Sequence, residues 1–124
     1  MPTFRDQRGM VTAEAALVLP LIAAFCITML WMLSLGIAEI RAVDAARDAA
    51  RALARGEDRA AAVGVAAGTA PAGARVSFTE AAGTVTASVS ARVSPPSWLV
   101  VPLPSVEVES HSTVEVEPDG DLQP

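Results

Sequence analysis

The sequence predicts an α+β fold: a long N-terminal helix, transmembrane and then solvent-exposed, followed by a small antiparallel sheet of about three strands. Three observations predict it. From Ala15 to Ala38 no residue carries a charge, a run of 24 positions. Immediately after it, apolar and charged side chains recur at helical spacing as far as Gly56. Beyond the breaker cluster GTAPAG the period changes to two, with Val85, Ala87, Val89, Ala91 and Val93 alternating with Thr84, Thr86, Ser88, Ser90 and Arg92.

Taken in order, residues 1–9 form a short hydrophilic leader ending in Gly9, and residues 10–56 form the long helix, with its span at about 15–38. At 1.5 Å per residue that span is about 36 Å long, enough to cross a bilayer with some tilt. Pro20 removes one backbone donor within it and predicts a kink; Gly36 is a second soft point. The continuation EIRAVDAARDAARALARG carries an apolar stripe of Val43, Ala46, Ala50 and Leu53, and its Asp44/Arg47 and Asp48/Arg51 spacings allow ion pairs one turn apart. Gly56 is a natural stop. Residues 57–117 read as a small α+β domain. It opens with a weaker Ala-rich helix at Arg59 to Ala67, followed by a hairpin around Ala81-Ala82-Gly83. The proline-bearing SPPSWLVVPLP cannot be a regular central strand, and a last strand runs from Val106 to Val116 with glutamates on one face. The sheet is expected to set its apolar face against the Val43/Leu53 stripe. Residues 118–124 read as a disordered tail.

Composition limits the function. Net charge is −5, every basic residue is Arg and none is Lys, and no basic patch is present, which argues against nucleic-acid binding. The one cysteine, Cys26, lies inside the apolar run, so an intrachain disulfide is impossible. A domain this short builds a marginal core and leans on a partner or on its own long helix. Arg5 and Arg8 precede the apolar run and outweigh Asp6, which predicts a cytoplasmic N-terminus and an external C-terminal domain.

Glu14 is the anomaly. An ionised carboxylate costs up to about 3 kcal/mol at the bilayer centre, so one near the edge of a span is a functional candidate. Three readings of the N-terminus compete. A secretory signal peptide with Gly36-Ile37-Ala38 as its cleavage site has too long an apolar run, and a helix continues straight past it. Its lipoprotein form, with a site at Cys26, fails on the bulky Phe25 before the cysteine. An ordinary single-span anchor explains Arg5, Arg8 and the span but not Glu14. The third reading accounts for all of them: RGMVTAE resembles the processing site of type IV pilin-like precursors, a short basic leader ending in Gly and then a mature chain with Glu as its fifth residue.

The stretches RG…TAEAALVLP, AEIRAVDAARDAARALARGE and APAGARV together resemble the TadE-like family of minor pilins or pseudopilins, its short actinobacterial members in particular. The likeness covers residues 7 to 93; the remainder is similar only in general character. It implies a substrate of a prepilin peptidase cut between Gly9 and Met10. Its further partners are other pilin-like subunits and assembly proteins of a Tad-type pilus or secretion apparatus. Such a protein is single-pass in the cytoplasmic membrane and passes into an extracellular pilus on assembly. Before cleavage Glu14, at shallow depth, is expected to reach to the cytoplasmic headgroups; in an assembly it pairs with the new α-amino group of Met10, on the same or a neighbouring subunit, and fixes the axial register of stacked helices. Ala13, Ala16, Ala23 and Ala24 allow close helix approach. The alternative is an unprocessed single-span accessory protein presenting a small external interaction domain.

Other features point to less. His111 beside Glu109 and Thr113 reads as a solvated strand face rather than a metal site, and the glutamate row as protection of a sheet edge. Trp98 and Leu99 to Val101 read as either a satellite core or a sticky docking loop, with the core as the expectation. No nucleophile–base pair, phosphate loop or paired acid and base stands out, so the chain reads as a non-enzyme without a cofactor.

Overall fold

In the computed structural model, which describes residues 4–116, helix α1 (Phe4–Ala54) is followed by α2 (Arg59–Ala67) and strands β1 (Arg75–Ala81), β2 (Thr84–Val93) and β3 (Val106–Glu115). The predicted tail, 118–124, lies outside the described residues. The predicted α+β architecture is present, with the sheet ordered β1-β2-β3 and both pairings antiparallel.

α1 is one helix of 51 residues, about 77 Å long, continuous through Pro20 and Gly36. It begins at Phe4, inside the expected leader, rather than at Met10. Nucleation is the costly step in helix formation, so a helix already formed downstream extends cheaply through Arg5, Asp6, Gln7 and Arg8. Its C-terminus is closed by a two-bond cap. Gly56 adopts φ +87°, its N–H donates to the Leu53 carbonyl at 2.9 Å, and Glu57 N–H donates to that of Ala52 at 3.2 Å. α2 starts where Asp58 Oδ1 accepts from the Ala61 N–H at 2.7 Å, which satisfies one of the free donors of its first turn.

The sheet meets α1 on a face of alanines. Ala42, Ala45, Ala46, Ala49 and Ala50 are fully buried against Ala66 of α2 and Ala87 and Val89 of β2; Val76, Phe78 and Val114 close the periphery. The expected stripe is therefore displaced: Ala46 and Ala50 are inside, but Val43 and Leu53 lie half-buried at its margins. Alanine brings the strand backbone close to the helix axis, and a branched or longer side chain at the centre would hold the two layers apart. Val89 is the only fully buried side chain larger than alanine among the described residues. The D-x-x-R ion pairs do not form either. Asp48 Oδ2 instead accepts from Thr69 Oγ1 at 3.4 Å, while Arg55 pairs with Glu57 at 2.6 Å and Arg59 with Glu80 at 3.2 Å.

The hairpin between β1 and β2 turns on two residues, with Ala82 at φ 50° and Gly83 at φ 78°. Both central residues at positive φ make the turn that matches the strand twist. An alanine in the left-handed region costs about 1 kcal/mol, which Asn or Gly avoids. Ala82→Asn is accordingly expected to stabilise the domain by about 0.5–1 kcal/mol, read as a higher melting temperature of the detergent-solubilised chain.

Candidate functional site

Every residue from Gln7 to Ala23 is exposed; Ala24 is half-buried, and Phe25 and Cys26 are exposed again. These 20 residues, Gln7 to Cys26, make about 30 Å of uncovered helix, the thickness of a bilayer's hydrocarbon core. Among the described residues, one helix is thus long and apolar enough to cross a membrane, and none of its most apolar window is buried by the others. Its hydroxyls are turned back onto the helix: Thr12 Oγ1 donates to the Arg8 carbonyl at 2.9 Å, Thr28 Oγ1 to Ala24 at 2.8 Å and Ser34 Oγ to Trp31 at 2.7 Å. That removes the cost of an unpaired hydroxyl in an apolar setting.

The residues singled out by the sequence all lie on this bare segment. Gly9 has open space where a Cβ would sit, and Met10 is 74% exposed. Met10 and Glu14 are four residues apart in the same helix and therefore share a face one turn apart. Glu14 is exposed and makes no ion pair with another described residue. Pro20 sits within the bare helix, and its missing N–H leaves the Ala16 carbonyl without its usual partner. Gly9 is the weakest helix former in the first turns of α1.

On the domain, the outer face of the sheet is a polar array. Thr86 and Thr113 share a hydrogen bond of 2.8 Å across β2 and β3, and His111 Nδ1 lies 3.4 Å from Ser88 Oγ and 3.9 Å from Glu109 Oε1. Sequence reasoning missed this Ser–His–Glu trio because Ser88 comes from the neighbouring strand. Both partners address the same ring nitrogen, whereas a proton relay needs the nucleophile on one nitrogen and the acid on the other. The trio is a surface hydrogen-bond group on an exposed face. Among the described residues, no three His, Cys, Asp or Glu side chains approach closely enough to hold a metal ion.

A second feature was unexpected. The segment joining β2 to β3 leans against the outer part of the apolar helix, leaving a hollow of about 440 Å³ lined by Ile27, Leu30, Trp31 and Ser34 of α1 and by Val93, Ser94, Pro96, Trp98 and Leu99. Trp31 is buried there, but Trp98 is 75% exposed and Val100 96%. The expected satellite core is therefore not formed around Trp98. The prolines at 95, 96, 102 and 104 keep the segment from folding back under the sheet, and only Pro95, Leu99, Val101 and Leu103 are half-buried in it. Comparison of the chain with known protein families, with curated proteins and with solved structures returns no match.

Proposed function

We propose that the chain is a membrane-anchored, TadE-like minor pilin or pseudopilin, matured by a prepilin peptidase after Gly9 and serving a Tad-type pilus or secretion apparatus as a structural or assembly component. One observation carries the reading: Glu14 stands fifth after the Gly9-Met10 bond, at the head of an apolar helix whose first turns, from Gln7 to Ala23, no other described residue covers. A plain anchor has no use for that carboxylate, whereas a subunit with a new α-amino group at Met10 has an immediate one. A small head fixed to the far half of the same helix also suits the part, because the near half stays free for lipid and then for neighbouring helices. The N-terminus faces the cytoplasm, by the Arg5 and Arg8 flank, and the head lies outside.

The test is the N-terminus of membrane-extracted protein co-expressed with its own peptidase. Intact mass and terminal sequencing are expected to give a chain starting at Met10, and Gly9→Val to retain the leader completely. Wild-type protein that still starts at residue 1, or that starts at Glu39, overturns the reading in favour of an uncleaved accessory anchor or a signal peptide.

A further inference from the structure

Between Arg92 and Glu107 the chain has no charged residue, and two large apolar side chains of this stretch, Trp98 and Val100, are 75% and 96% exposed. We infer that this β2–β3 segment is a second membrane contact, inserting Trp98 and Val100 into the outer-leaflet interface beside α1; the inference rests on α1 spanning the bilayer.

The position along the helix argues for lipid. The segment packs at the level of Ile27 to Ser34. A hydrocarbon core of about 30 Å starting at Ala15 ends near Ser34, and one starting at Met10 ends near Met29. The second placement sets the segment across the boundary between acyl chains and headgroups, and the first sets it just inside that boundary, in the outermost part of the core. Irregular backbone is not tolerated deeper, but prolines carry no N–H, so this segment has fewer donors to leave unpaired than its length suggests. Tryptophan at a membrane–water boundary is the side chain that boundary selects. The rim has the matching charge: Arg41 and Arg92, both exposed, border the adjoining hollow next to Ser34 and Ala38, on the domain side of the segment. Phosphate groups of the headgroup layer lie at that height, so the apolar side chains point inward while the guanidinium groups meet the anions. A second copy of the chain presented at this face would need acidic groups opposite Arg41 and Arg92, and the segment itself offers none.

The test uses the full chain in vesicles of phosphatidylcholine and phosphatidylglycerol, with the phosphatidylcholine acyl chains brominated either near the carbonyl or near the methyl end. Trp31→Phe leaves Trp98 as the only indole. If that variant folds poorly, the difference between wild type and Trp98→Phe isolates the same signal. The expected result is an about twofold loss of Trp98 emission with the shallow bromines, and a smaller loss with the deep ones. Cys26, exposed on α1, reports the span independently: it should resist a water-soluble maleimide until detergent is added. A protected Cys26 with Trp98 unquenched by bromolipid and open to iodide overturns the inference while leaving the span intact. A reactive Cys26 removes the span and the inference together. Blue-shifted Trp98 emission that ignores bromolipid and moves red on dilution into excess lipid assigns the face to a second copy, which also overturns it.

Discussion

Ala46→Leu is expected to destabilise the head by about 1–3 kcal/mol, the usual cost of forcing extra methylenes into a filled core. Ala46 is fully buried where α1 meets the sheet, and its neighbours Ala42, Ala49, Ala50 and Ala87 leave no long side chain that could swing aside. The sheet would have to lift from the helix, and Val89, which depends on that contact, would be uncovered. For a domain this small the loss corresponds to a melting temperature lower by roughly 4–8 °C per kcal/mol. Leu53→Ala, at the half-buried margin, is expected to cost clearly less. The measurement is pulse proteolysis of the full chain in detergent, with trypsin cutting after Arg75 and Arg92, which lie in strands and become cleavable when the sheet opens. Equal loss in both variants would mean that the alanine face is not the core of the fold.

The second large effect belongs to Glu14. In Glu14→Ala, removal of the leader should proceed while recovery of the protein in the assembled fraction falls by more than about tenfold. Stranding one charge of a buried pair costs about 3–5 kcal/mol. Glu14→Gln should behave like the alanine variant and Glu14→Asp should retain part of the function, since the charge rather than the volume is at stake. Processing is read by intact mass, and assembly by immunoblot of sheared surface material against membranes. Normal assembly of Glu14→Ala would eliminate register pairing and leave the carboxylate merely reaching to the cytoplasmic headgroups.

How far the sequence could be read depended on the kind of signal. α2 was bounded at Arg59 and Ala67 by its flanking residues, and the facing of β2 and β3 followed from strict alternation, because a one-residue slip would bury Thr86 or Glu107. The buried face of α1 was not readable in the same way. Alanine occupies several sides of that helix, its small methyl gives a weak amphipathic contrast, and the inward side is decided by which side the sheet can approach. The Asp44/Arg47 and Asp48/Arg51 spacings permitted pairs that the fold does not make, since Asp48 found Thr69 in the loop after α2. The place of Trp98 was hidden for a related reason: a contact with Ile27 to Ser34 spans more than sixty residues of chain and follows from the sheet's docking angle. The candidate site is the opposite case. Gly9, Met10, Glu14 and Pro20 form a linear pattern on a bare helix, so the fold adds no neighbour to them among the described residues.

Gly36 gains a mechanical meaning from its surroundings. On one side of it Ala38 packs against Ala91 and Val108, and on the other the β2–β3 segment lies along Ile27 to Ser34. One continuous piece of chain, running from β2 through the segment to β3, thus grips α1 above and below a soft internal position, as a splint holds a joint. Bending stress that would otherwise concentrate at the glycine is shared by the head. Tilt or rotation of the apolar helix is transmitted to the sheet as a rigid lever, so the orientation of the head follows that of the helix that carries it.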